Sequence, residues 1–205
     1  MVGLKHPDFK IEDEAIASGL TPVCGVDEAG RGPWAGPVVA AAVILDPSHI
    51  PPGLNDSKKL TALQREKLFD PIMATARVGI GMAEAEQIDR DNILAATLWA
   101  MGQAVAQLGD VSLALVDGNR APILSCRVIT LVGGDGRSAS IAAASVIAKV
   151  TRDRIMRAHD ETWPQYGFAR HKGYGTAFHA AALGVHGPSP IHRRSFRPVT
   201  VLLAR

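Results

Sequence analysis

An α/β fold is what this chain predicts. Strand-like runs alternate with helix-like ones, three of the strand-like runs end at or just before a carboxylate, and each of those carboxylates sits among glycines. In open α/β sheets ligands gather outside the carboxyl ends of strands, so the pattern puts polar groups along one sheet edge.

Residues 22–28, built on Pro22-Val23-Cys24-Gly25-Val26, read as the first strand, 36–45 as the second and 76–83 as the third. A helix is expected over about 61–71, opening at Thr61. A second spans about 86–107, where Ile88, Leu94, Leu98 and Met101 recur at helical spacing. Residues 111–116 form a strand that ends in Asp117, and 128–132 another that stops before Gly133-Gly134-Asp135. A long helix follows from about Ser138 to His159. No repeat, linker or low-complexity tract interrupts the chain, and 205 residues suit a single domain over 1–205. Its core would be about 20–160, with a smaller helical or irregular extension over about 161–205.

Composition narrows the class. At 47% hydrophobic and 20% charged residues, the chain is ordinary for a folded soluble protein. Its most apolar stretches, 34–45 and 141–148, are too short to span a bilayer, and the N-terminus turns acidic at Glu12-Asp13-Glu14 without a signal-peptide core. Cys24 and Cys126 lack metal-ligand or redox spacing, so reduced thiols and a cytoplasmic location are expected, with Cys24 a small buried strand residue. The net charge of +2 hides an asymmetry: residues 1–148 carry a net −5 and residues 149–205 a net +7. An acidic site facing a basic segment suits a protein that holds metal ions with carboxylates and phosphates with cations.

The sharpest motif is Asp27-Glu28-Ala29-Gly30-Arg31-Gly32-Pro33. Alone, an Asp-Glu pair before glycine is a common turn. Here it joins two buried strands, and the glycines let the chain turn and let another molecule approach the main chain. On a strand the two carboxylates would point to opposite faces, so reaching one pocket requires the chain to leave strand geometry near Glu28. Asp117, in Asp-Gly-Asn, also reads as a turn, and Asp135 as a cap before the long helix; neither role excludes binding a cation. Asp27, Glu28, Asp117 and Asp135 are the candidate ligands for hard divalent ions such as Mg²⁺ or Mn²⁺. Zinc is not suggested, since no HExxH spacing occurs and the cysteines are isolated. Asp56, Asp89 and Asp91 read as turn and cap residues.

Several motifs in order resemble the bacterial ribonuclease HII family, from about residue 22 to about 198. They are Gly25-Val26-Asp27-Glu28-Ala29-Gly30-Arg31-Gly32-Pro33, Asn55-Asp56-Ser57-Lys58-Lys59-Leu60, Val116-Asp117-Gly118-Asn119, Gly134-Asp135, 143–153, His171-Lys172-Gly173-Tyr174-Gly175-Thr176 and His192-Arg193-Arg194-Ser195-Phe196. Type HIII is the near relative, but Ala-Gly-Arg-Gly-Pro after the acidic pair and the short stretch before the first strand point to type HII. The resemblance implies a ribonuclease H-like mixed sheet of about five strands flanked by helices. It implies an endoribonuclease acting on RNA/DNA hybrids and on duplex DNA containing ribonucleotides, cutting 5′ of a single ribonucleotide with two divalent ions and leaving 3′-hydroxyl and 5′-phosphate ends.

A protein that tells RNA from DNA must contact the 2′-hydroxyl. By the resemblance, the main chain of Gly30, Arg31 and Gly32 and the ring of Tyr174 read the junction between a ribonucleotide and the next deoxyribonucleotide. Lys58, Lys172 and the stripe Ser138, Ser145, Lys149 and Arg152 are candidate phosphate contacts. A monomer is the family expectation. The segment 199–205 lacks a Gln-led pattern with paired aromatics, so no clamp-binding peptide is evident. Trp34 and Gly133 depart from the family pattern, the second by removing a positive charge beside Asp135. A hybrid-binding module without activity and a two-metal hydrolase of small phosphates are the readings from other classes.

Overall fold

The computed structural model describes residues 6–204. In chain order its elements are α1 (Lys10–Ala17), β1 (Val23–Ala29), β2 (Val38–Ile44), α2 (Ala62–Thr75), β3 (Arg77–Ala83), α3 (Ala85–Asp91), α4 (Ile93–Ala106), β4 (Leu113–Asp117), β5 (Arg127–Leu131), α5 (Ala139–Thr162), α6 (Phe168–His171), α7 (Ala177–His186) and α8 (Arg197–Leu203). The strands form one mixed sheet ordered β3-β2-β1-β4-β5. β1 pairs antiparallel with β2 and parallel with β4; β5 is parallel to β4, and β3 antiparallel to β2.

Alternation along the strands sorts the core into two layers. Cys24, Val26, Val38, Ala40 and Ala42 pack towards Ala100, Met101 and Ala104 of α4. Ala41 and Val43 pack towards Ala143, Ala144 and Ile147 of α5 on the other face. Glycine permits the close approach on both sides. A Cβ at Gly25 would lie 2.1 Å from the Ser140 carbonyl carbon, and one at Gly81 2.0 Å from the Ala100 oxygen.

Three expectations change in detail. The helix expected over 61–71 runs through Pro71 to Thr75; Leu68 and Ile72 are buried against the core, and Thr75 Oγ1 donates to the Pro71 carbonyl. The helix expected over 86–107 breaks at Asn92, whose φ is 68° and whose side chain accepts from the Leu94 and Ala95 amides. With ψ 162° this is backbone that residues other than glycine rarely adopt, and the two cap hydrogen bonds to the new helix hold it there. The short helix α1 was not anticipated. It is tied down by Glu12, a buried carboxylate that accepts from Ser138 Oγ and the Ser140 amide at the start of α5.

Beyond α5, the chain folds back as α6 and α7 around Ala35, Met156, Tyr166, Phe168 and Ile191, and α8 follows Phe196, which packs on the α4 side of the sheet. Asp89 pins this return: its carboxylate accepts from the Arg194 and Ser195 amides and the Ser195 hydroxyl. That is a structural role, as expected for this residue. Among the described residues, no helix is long and apolar enough to cross a membrane.

Candidate active site

β1, β4 and β5 are parallel, so their carboxyl ends share one edge of the sheet. Val26 lies opposite Val116, which makes Asp27 and Asp117 the next residues along on adjacent strands. Strand β1 does not break at Glu28, contrary to expectation: it pairs through Ala29, with Glu28 opposite Ala40. The two carboxylates therefore take opposite faces, and both still border one cleft because it straddles the sheet edge. That cleft, about 220 Å³, is lined by Asp27, Glu28, Asp117, Gly30, Arg31, Gly32, Ser57, Lys58, Ser145, Lys149 and Tyr174. Glu28 and Asp117 also border a smaller recess on the α4 side, beside Leu94 and Asn119.

Asp135 lies in the turn that follows β5. The Gly134 amide donates to Asp117 Oδ1 at 2.7 Å, joining the two strand ends. A Cβ there would lie 2.6 Å from Ile141 Cδ1, so any side chain would displace the end of Ile141. Asp135 is not the helix cap; Ser138 is, accepting from the Ile141 amide. Gly133 adopts the left-handed conformation, with φ 64°. Lys58 brings positive charge to this turn, its Nζ standing 3.7 Å from Asp135 Oδ2.

The electrostatics are those of negative charge held short of compensation. Burial, with repulsion from Glu28 and Asp117, pushes Asp27 well above the usual carboxylate range. Burial raises Glu28 as well; Arg31, whose guanidinium lies 3.4 Å from it, partly offsets this, and Asp117 adds to it. Asp135 is raised by burial and by Asp56 and Asp117. Burial works against the charge on Lys58, but Asp135, Asp27, Asp56 and Asp117 together hold its ammonium above its ordinary value. Asp135 Oδ2 is buried without a hydrogen-bond partner.

Such oxygens suit a hard divalent cation. Among the described residues no three Asp, Glu, His or Cys side chains converge enough to enclose an ion by themselves. Mg²⁺ does not require such a cage, since it keeps waters and completes its shell with substrate phosphate oxygens.

The remaining site candidates separate. Ser145 is buried beneath Asp27; its hydroxyl lies 2.7 Å from Ser57 Oγ and, with its one proton turned to Asp27, favours the charged carboxylate. Lys149 borders the cleft, with Nζ 2.6 Å from Asp153. Lys172 instead lines the neighbouring basic groove with Arg157 and Arg170. Tyr174 is 45% exposed, and its ring faces Gly32, where a Cβ would stand 3.8 Å from Cε1. Trp34 covers Gly175 and packs on His179 with ring centroids 5.3 Å apart.

Two members of the expected phosphate stripe are elsewhere. Ser138 is fully buried as the cap of α5, and Arg152 is fully buried, donating to the Pro37, Lys172 and Ala35 carbonyls. Ser138 and Arg152 thus face protein, while Ser145 and Lys149 between them line the cleft. Ser57 was missed; its place in the Asp-Ser-Lys-Lys loop, over which Arg65 donates to the Ser57 and Leu60 carbonyls, was its one signal.

A five-stranded mixed sheet in this order, with carboxylates at the ends of its parallel strands, defines a ribonuclease H-like nuclease. The family model described as Ribonuclease HII matches residues 24–199. A ribonuclease HII from Azorhizobium caulinodans is 61% identical over 192 residues, 93% of this chain and 74% of that protein. Among solved structures, ribonuclease H2 from Pyrococcus horikoshii OT3 superposes with a TM-score of 0.72 at 27% identity, covering 89% of this chain and 97% of that one. The ribonuclease HII of Archaeoglobus fulgidus, solved in complex with PCNA, gives 0.69 at 26% identity, covering 84% and 93%. The chain belongs to the ribonuclease HII family. It is a metal-dependent endoribonuclease that degrades RNA in RNA/DNA hybrids.

Proposed function

We propose that this enzyme also incises duplex DNA on the 5′ side of a single embedded ribonucleotide, with two divalent ions, Mg²⁺ or Mn²⁺, leaving 3′-hydroxyl and 5′-phosphate ends. One observation carries the reading: Asp27, Glu28 and Asp117 share a narrow cleft with the Gly30–Gly32 turn, exposed at Arg31 and Gly32, and with the ring of Tyr174. Charge for the chemistry and surface for reading a sugar thus lie within one nucleotide's reach. The ions would be held by Asp27, Glu28, Asp117 and Asp135. When bound, they supply a water of lowered pKa and neutralise charge on the phosphate and the leaving oxygen.

The chain's own groups do the rest. Ser145, backed by Ser57, fixes the Asp27 carboxylate. Lys58 holds positive charge at the mouth, and Lys149 stands beside it for a phosphate. A ring at Tyr174 packs against a sugar and favours one without a 2′-hydroxyl on the 3′ side. The basic groove of Arg157, Arg170 and Lys172 continues the phosphate path away from the cleft, giving the extension over 161–205 a part in substrate binding. We take the enzyme to act as a cytoplasmic monomer. Docking on a clamp through 199–205 is not part of this reading.

The test is a labelled DNA duplex carrying one ribonucleotide, incubated with Mg²⁺ or Mn²⁺ beside an all-DNA duplex and an Asp27→Asn control. A single cut 5′ of the ribonucleotide, lost on substitution or chelation, is expected. Cleavage confined to long hybrids would remove the single-ribonucleotide claim and leave the family activity in place.

A further inference from the structure

Arg152 and Arg193 are the two largest fully buried side chains among the described residues, and neither has a carboxylate partner within salt-bridge distance. A buried cation without a counter-ion is costly unless other groups satisfy it. Here main-chain oxygens do so. Arg193 donates from Nε to Gly36 O at 2.9 Å, from Nη1 to Arg31 O at 3.0 Å and from Nη2 to Gly30 O at 2.6 Å. Arg152 donates from Nε to Pro37 O at 2.9 Å, from Nη1 to Lys172 O at 3.0 Å and from Nη2 to Ala35 O at 3.2 Å. Desolvation lowers the two guanidinium pKa values to about 9 and about 10 respectively, which still leaves both charged at neutral pH.

The acceptors are not scattered. Five of the six lie in 30–37, the segment that begins with the Gly-Arg-Gly turn, and the sixth is in the loop that carries Tyr174. Peptides in this turn are trans, so each C=O points opposite to the N–H of the following residue. Fixing the Gly30 and Arg31 oxygens on a fully buried guanidinium therefore turns the Arg31 and Gly32 amides outwards. Both residues are exposed and border the cleft. Neither amide has an acceptor among the described residues, so both are free to donate.

Gly30 shows how tightly the guanidinium groups sit beneath the turn. Its φ is 97°, and a Cβ there would lie 2.0 Å from Arg152 Nε. Arg152 also reaches the second wall, since the carbonyl it holds on Lys172 lies two residues before Tyr174, with the guanidinium 6.0 Å from that ring.

We propose that Arg152 and Arg193 are positioning residues for ribose discrimination: one clamp from beneath the cleft sets the outward amides of Arg31 and Gly32 and the placement of Tyr174. The proposal rests on the reading that this wall senses the 2′-hydroxyl. Neither arginine touches substrate; each acts through the main chain it holds.

Lysine is the informative replacement, because it keeps the charge and loses the planar fork that meets three acceptors at once. Arg193→Lys and Arg152→Lys are made singly, and binding is measured in an Asp27→Asn background by anisotropy, with an RNA/DNA hybrid and an all-DNA duplex. The preference for hybrid, written as the dissociation constant for the all-DNA duplex divided by that for the hybrid, is expected to fall about tenfold in Arg193→Lys, equivalent to one or two misdirected hydrogen bonds. In the cleaving enzyme, KM for the hybrid rises by a similar factor while kcat at saturation stays within about threefold, because the carboxylates are untouched.

An unchanged ratio in a folded variant would overturn the proposal, as would equal weakening on both duplexes. A wild-type protein that binds both duplexes equally would overturn instead the ribose-reading role of the wall. If Arg193→Lys does not melt cooperatively, Arg152→Lys decides in the same assay. Hydrogen exchange on the Asp27→Asn protein gives a further check that does not depend on the fold of a clamp variant. The amides of Arg31 and Gly32 should become protected by hybrid and not by DNA, and absence of that protection would count against the clamp's purpose.

Discussion

His192 makes this protein acid-sensitive in a way that can be isolated. Its Nδ1 accepts from the Ser189 amide at 2.9 Å, so the ring's proton sits on Nε2 and is donated to His179 Nε2, 3.0 Å away. His179 in turn donates from Nδ1 to the Tyr174 carbonyl. Protonating either ring would set two N–H groups against each other. Burial, reinforced by His179, accordingly pushes the His192 imidazole down to about 4 from its ordinary 6.5. The unfolded chain takes up a proton below 6.5 and the folded chain refuses it until about 4, so the unfolded state binds more protons between these limits. The stability contribution is complete above pH 6.5 and is lost as pH falls towards 4. The interval corresponds to about 3 kcal/mol at most, with a slope near 1.4 kcal/mol per pH unit. Urea denaturation of wild type and His192→Asn, from pH 7.5 down to pH 5, measures it. Asparagine keeps an acceptor for the Ser189 amide and cannot titrate, so the wild-type advantage should shrink steadily below pH 6.5. Parallel pH profiles for the two proteins would refute the reasoning.

Asp27→Asn should be more stable than wild type in chelator by about 0.5–2 kcal/mol while losing activity, because burial and two neighbouring carboxylates work against the native charge. Thermal melts with and without Mn²⁺ read both effects; added metal should stabilise wild type more than the variant. Ser145→Ala removes the hydroxyl that supports Asp27 and bonds Ser57. It is expected to cost about 1 kcal/mol of stability and to lower kcat more than it raises KM; a pure KM effect would mean the serine serves substrate. Gly25→Ala, whose Cβ would meet the backbone of Ser140 at 2.1 Å, should cost about 3 kcal/mol or more by prising α5 off β1. A melt within a degree or two of wild type would show that the helix can give way there.

Local sequence revealed the carboxylates and not the clamp, for a physical reason. Asp27, Glu28 and Asp117 end apolar runs and Asp135 follows one, each with glycines beside it, so their placement at a sheet edge follows from strands that stop at a turn. That β1 lies at the centre of the sheet is a tertiary fact; the expectation of this sheet came from the family resemblance, not from any strand's own pattern. Asn92 broke a helix that looked continuous, although an asparagine before Ile93-Leu94 was a readable cap. Arg152 and Arg193 were harder. In a segment with a net charge of +7, an arginine reads as solvated phosphate-binding charge. What makes Arg193 different is its set of acceptors: Gly30, Arg31 and Gly36 lie more than 150 residues away in sequence. Carbonyls carry no residue identity, so nothing in the composition of 30–37 advertises that it needs two buried cations. The same segment does show three glycines within seven residues, and at Gly30 and Gly36 a side chain would collide with Arg152 or Met156. Glycines that look like licence for substrate to approach are thus also licence for the arginines beneath to do so, and the turn is shaped from both sides.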